Sequence, residues 1–180
     1  MLAGLLSAAV HPATAQTVGG FDYAPQYDFS EFWAATDGRR FRVVFAGNPF
    51  PSLPIESVMH RLLPVMQANK PRPNLTFTYE RPPEEVRPDY RLALVFDPAN
   101  DLTAARVCSG QAWFKPSTPG RVYVFGVYCR NDLALSQATA WTAATGPDDP
   151  RLAPLFAQLF LVLFDDSPRR RWPHRPFFDR

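Results

Sequence analysis

Proline recurs twenty times in these 180 residues, and no other feature narrows the choice of fold as much. Each proline removes a backbone donor and fixes φ, so helix interiors and central strands tolerate it poorly. A chain punctuated this densely is expected to build short elements joined by stiff connections. With 46% hydrophobic and 14% aromatic residues, it still carries enough apolar side chain for one core. Its length suits a single domain.

Between the prolines the hydrophobic period changes several times. Phe41, Val43 and Phe45 alternate with Arg42, Val44 and Ala46, the pattern of a half-buried strand, and Asn48-Pro49-Phe50-Pro51 ends it. Ile55, Val58, Met59, Leu62, Leu63 and Met66 then recur at helical spacing, with Glu56, His60, Arg61 and Gln67 opposite. Pro64 falls inside this run and is expected to kink or shorten the helix. Leu75, Phe77 and Tyr79 alternate with Thr76, Thr78 and Glu80, and a further strand is expected over Tyr90 to Phe96 after the charged proline loop from Arg81 to Asp89. Asn131 to Thr145 reads either as an Ala-rich helix capped by Asp132 or as a strand. Asp148 or Asp149, followed by Pro150, opens a last helix running to about Phe164. Leu152, Leu155, Phe156, Leu159, Phe160 and Leu163 form its apolar stripe. The order β-α-β-β-β-β-(α)-α predicts an α+β domain: a largely antiparallel sheet of about five strands, with two main helices packed on one face.

The two cysteines fall in segments that read as a hairpin. Val107–Phe114 and Arg121–Cys129 are strand-like, and Lys115-Pro116-Ser117-Thr118-Pro119-Gly120 is rich in turn residues. A loop over Ser117–Gly120 sets Cys108 opposite Cys129, with Ala112 facing Phe125 and Phe114 facing Tyr123. Opposed residues of an antiparallel pair lie within disulfide reach, so a Cys108–Cys129 bridge is expected.

The N-terminus bears on location. Leu2 to Val10 is uncharged and apolar, Pro12 follows, and Ala13-Thr14-Ala15 has the small-x-small form of a leader cleavage site. Residues 1–15 therefore read as a secretory leader cut before Gln16. They lack the usual positive n-region, which implies either a start codon further upstream or a degenerate leader. The apolar run is too short to span a bilayer, and no other stretch reaches the ~20 residues a membrane helix needs. Export, periplasmic or secreted, agrees with a structural disulfide.

Motifs for chemistry are sparse. His60 and His174 stand alone, so no metal site is expected; no cofactor loop or nucleophile elbow is present. Ser109 and Ser136 have no base identifiable beside them. The acid pairs Glu84-Glu85, Asp148-Asp149 and Asp165-Asp166 sit in a loop or at helix ends, and neighbours on a regular element point apart. Asn74-Leu75-Thr76 matches a glycosylation sequon.

The domain is expected over 16–166 and a basic, aromatic tail over 167–180. The tail carries Arg169, Arg170, Arg171, Trp172, Arg175, Phe177 and Phe178, a candidate partner-binding segment. It suits an envelope protein, an anionic membrane surface or a polysaccharide, and export argues against nucleic acid. The alternative is a tail folded back onto the sheet. The leading expectation is a non-catalytic exported domain that binds an envelope component through its tail or a sheet edge. The rival is a small-ligand carrier or hydrolase whose pocket is lined by Tyr79, Trp113, Tyr128 and Trp141 on an open sheet face.

Overall fold

The computed structural model describes residues 17–81 and 88–167. In chain order these form β1 (Thr17–Tyr23), α1 (Phe29–Thr36), β2 (Arg40–Ala46), α2 (Ile55–Ala68), β3 (Thr76–Thr78) and β4 (Tyr90–Phe96). There follow α3 (Ala104–Cys108), β5 (Arg121–Arg130), β6 (Leu133–Ala143) and α4 (Leu152–Leu163). The fold is α+β, with a single six-stranded sheet in the order β1-β6-β5-β4-β2-β3. The pairs β1/β6, β6/β5 and β5/β4 are antiparallel; β4/β2 and β2/β3 are parallel. The sheet is therefore mixed. Helix α2 fills the connection from β2, so the chain returns to lay β3 beside it in the same direction.

One face of the sheet is dry and aromatic. Phe41 and Val43 from β2, Leu92 and Leu94 from β4, and Tyr128 from β5 are buried there under α1, α2 and α4. Phe32 of α1 stacks on Phe164, with ring centroids 4.3 Å apart, and lies edge-on to Tyr128 at 5.4 Å. Helix α4 owes its close approach to Gly126. A Cβ there would meet Leu163 Cδ1 at 2.8 Å and Leu159 Cδ1 at 3.3 Å. Ser136 of β6 donates to the Leu163 carbonyl at 2.6 Å, tying the same helix to the sheet.

The other face is where the expected hairpin fails. Residues Ala104–Cys108 form α3 rather than a strand, and β5 pairs with β4 and β6 instead. Thr103 caps the helix, its side chain accepting from the Arg106 N–H. At the other end Gly110 adopts φ 82°; its N–H donates to Val107 O, and that of Gln111 to Arg106 O. Those two bonds make a Schellman ending, which a left-handed glycine favours. The disulfide is present nonetheless, between Cys108 at the last turn of α3 and Cys129 of β5, with Cα atoms 5.5 Å apart. It joins a helix to the sheet rather than two paired strands.

Asn131–Thr145 resolves as strand β6, entered through a two-residue Asn131–Asp132 turn with Asn131 at φ 51°. Pro64 does not end α2, which continues to Ala68. The proline is exposed, so the His60 carbonyl it leaves unbonded lies on the solvent side. The alternation around Phe77 yields a strand of three residues. Elements β1 and α1 have no counterpart in the expected order. Asp28 caps α1 by accepting from the Ser30 N–H at 2.8 Å.

Gly126→Ala is expected to destabilise the domain by about 1–3 kcal/mol, the usual range for overpacking, in urea denaturation. An unchanged midpoint would mean that α4 is not seated on the sheet at this contact.

Candidate functional site: the open face of the sheet

Helix α3 covers only the middle of its face. It lies with Leu102 and Val107 against Val95, Phe125, Val127 and Cys129. Past the end of β4 the chain leaves the sheet at Asp97. This residue has φ 47°, a left-handed conformation that Asp and Asn visit more readily than other side chains. Its N–H still donates to Tyr123 O, but its carbonyl accepts from Lys115, and the Ala99 N–H donates to Trp113 O. Residues 97–99 thus pair with 113–115, and Pro98 and Phe114 form an isolated bridge.

That detour leaves a shallow cleft of ≈ 310 Å³ lined by Pro98, Asn100, Leu102, Lys115, Tyr123, Phe125 and Thr139. Tyr123 and Phe125 come from β5, and Thr139 is the cross-strand neighbour of Phe125 on β6. Trp141 lies directly opposite Tyr123 and is 39% exposed. Arg121 sits 5.7 Å from the centre of the Tyr123 ring. Lys115 Nζ donates to Asn100 Oδ1 at 2.9 Å, and Thr139 Oγ1 donates to Gly19 O at 2.6 Å. An aromatic floor and rim are thereby set beside an ammonium, an amide and a hydroxyl.

Asp97 itself is 4% exposed, and one of its carboxylate oxygens, Oδ2, is enclosed without a hydrogen-bond partner. Burial raises its pKa; the Ser117 hydroxyl, Arg121 and Lys115 act in the opposite direction. Ser117 has one proton, and its Oγ donates to Asn48 O at 2.6 Å.

At the far end of the β4/β5 ladder, Glu31 of α1 accepts from Arg130 at 2.7 and 2.9 Å and from the Tyr90 hydroxyl. The Tyr90 bond, supported by Arg130, lowers the Glu31 pKa, while burial and Glu31 push Tyr90 up to about 12. This group clasps α1 to the strands.

Cys108 and Cys129 are brought together, as expected from the sequence. The tail residues Arg169, Arg170, Arg171, Trp172, Arg175, Phe177 and Phe178 lie outside the described residues, as do Glu84-Glu85 and the leader. Tyr79, Trp113, Tyr128 and Trp141 do not share a face. Tyr128 is wholly buried on the helical side and Tyr79 packs there too, whereas Trp113 lies with the α3 cluster. Of the four, only Trp141 borders the cleft. Ser136 is spent on α4, Ser109 Oγ donates to Arg106 O at 2.9 Å, and His60 is exposed on α2. Lys115, Asn100, Tyr123 and Thr139 were missed. Asn100 and Lys115 belong to irregular segments with no periodic signal, and their meeting depends on the turn at Asp97.

No protein-family profile and no curated protein matches the chain. Among solved structures, a PelC dodecamer from Paraburkholderia phytofirmans is similar over 83% of this chain and 97% of that one. The identity is 14% and the TM-score 0.42. Likeness at this level bears on neither ligand nor assembly.

A carboxyl with a raised folded-state pKa contributes its stability below the unfolded pKa and loses it as pH rises through the folded pKa. Asp97→Asn, which keeps the left-handed turn but cannot ionise, should therefore gain on the wild type as pH rises from 3 to 7. Urea midpoints across that range test this; a difference that stays constant with pH would contradict it.

Proposed function

We propose that the chain is an exported binding domain of the cell envelope that holds a sugar chain on its open sheet face. The observation that carries this reading is the exposed Trp141 set beside Tyr123 at the border of the Asn100/Lys115/Thr139 cleft. A pyranose ring presents an apolar C–H face that packs on an indole or phenol, and hydroxyls that pair with amide, hydroxyl and ammonium groups. The cleft offers both kinds of surface within one concavity. Exposed aromatic area on a sheet face costs solvation, and a ligand that covers it recovers that cost. The leader-like residues 1–15 support export. The Cys108–Cys129 bridge agrees with an oxidising compartment, and no helix among the described residues is long and apolar enough to cross a membrane. Of the three partner classes suited by the sequence, a polysaccharide matches this narrow, mixed cleft better than a flat membrane surface or a broad protein interface.

The full chain should retain oligosaccharides on a glycan array. Trp141→Ala should weaken that binding about tenfold or more, or ~1.4 kcal/mol, in a variant that circular dichroism shows to be folded at the assay temperature. Tyr123→Ala should act in the same direction. Equal retention by both variants and the wild type, or no retention by any of them, would refute the reading.

A further inference from the structure

The opposite end of the same face holds an arginine whose Nε has no hydrogen-bond partner among the described residues. In the parallel β2/β4 pair Arg42 lies directly beside Arg91. Both continue the rows that include Val44 and Ala46 on β2 and Ala93 and Val95 on β4, the side facing α3. Arg91 has partners of its own: its Nη1 donates to Asp89 Oδ2 at 2.7 Å and its Nη2 to the Cys108 carbonyl, which leaves N–H groups on the same guanidinium for a further acceptor. Arg42 differs. It is half-buried, its Nε is enclosed without a hydrogen-bond partner, and among the described residues no carboxylate pairs with it.

The charges around Arg42 make its position more costly. Burial depresses its pKa most; Arg81 and Arg91 depress it further, and only Asp89 opposes them. That single carboxylate is already bound to Arg91. Three guanidiniums thus face one occupied acid. An unbranched apolar residue at position 42 would avoid both the desolvation and the repulsion. A charge kept where it lowers stability points to a role in binding.

We propose that Arg42, together with Arg81 and Arg91, forms a binding site for an oxyanion: a carboxylate, sulfate or phosphate group. The planar guanidinium fork matches such groups, and an anion here would accept from the orphaned Nε–H while neutralising the cluster. Thr78 of β3, the register neighbour of Arg42 on its other side, sets a hydroxyl-bearing residue on the same row. The site stands apart from the cleft bordered by Trp141 and rests on different residues, so either proposal fails without the other.

The test is an NMR titration of the full chain, following the arginine Nε–Hε resonances with sodium phosphate against sodium chloride at matched ionic strength. The Arg42 resonance should shift saturably with phosphate and not with chloride, while that of exposed Arg39 stays in place. Arg42→Gln should lower phosphate affinity roughly tenfold or more and, without phosphate, unfold at a midpoint no lower than the wild type. Phosphate should raise the midpoint of the wild type and not of this variant. Equal shifts with chloride, or an Arg42 resonance that phosphate leaves unmoved, would overturn the proposal. So would a response to phosphate seen only in the Glu84→Gln/Glu85→Gln double variant, because the chain's own acids would then be the occupant.

Discussion

The disulfide between Cys108 and Cys129 decides what the second face of this sheet becomes. A five-residue helix does not persist on its own, since nucleation costs more than one turn of hydrogen bonds returns. Helix α3 holds its place because its last residue is bonded to the C-terminal end of β5 and because Leu102 and Val107 bury against Phe125 and Val127. Closing a loop across 21 residues of separation restricts the unfolded chain by about 3 kcal/mol on the chain-entropy estimate. Pinned there, α3 dries the centre of the face and leaves both ends open. One end is the cleft beyond β4; the other is the arginine group at its beginning.

The two faces follow different rules. Under α1, α2 and α4 the large side chains are enclosed, Phe32, Phe164 and Tyr128 interlock, and Gly126 admits α4 to close range. On the α3 side several local rules are broken together: a left-handed Asp97 with an orphaned oxygen, an exposed Trp141, and an Arg42 with no ion-pair partner among the described residues. Strain and unsatisfied groups persist only where the surrounding structure over-determines them, and they concentrate at sites of binding and chemistry. Their shared location on one face is what makes that face the candidate surface.

The sequence exposed the helical core well and the other face poorly, for identifiable reasons. Strand β2 and helices α2 and α4 repeat their apolar residues over two or more turns or three alternations, and β4 is a continuous apolar run from Leu92 to Phe96, so each leaves a signal. The stretch 107–114 misled because Val107 and Cys108 are buried like strand residues, although Thr103 and Gly110 bracket a short helix as N-cap and C-terminal glycine. The cysteine pairing was right for a geometric reason that the structure does not share. Segment Asp28-Phe29-Ser30-Glu31 carries a capping signal for α1 that went unused. Arg42 read as an ordinary polar residue on the solvent side of a strand. Only the parallel pairing that sets it beside Arg91 reveals the charge conflict, and no local pattern encodes that pairing.

The central claim is that the partner sits on the α3 side of the sheet. Hydroxyl-radical footprinting of the full chain, purified and within the native cell envelope, tests it most directly. The account predicts that Trp141 and Tyr123 lose reactivity in the envelope while Trp33 and Leu161, exposed on the outer side of the helical layer, keep theirs. Protection of Trp33 and Leu161 with Trp141 unchanged would place the partner on the helices and contradict it.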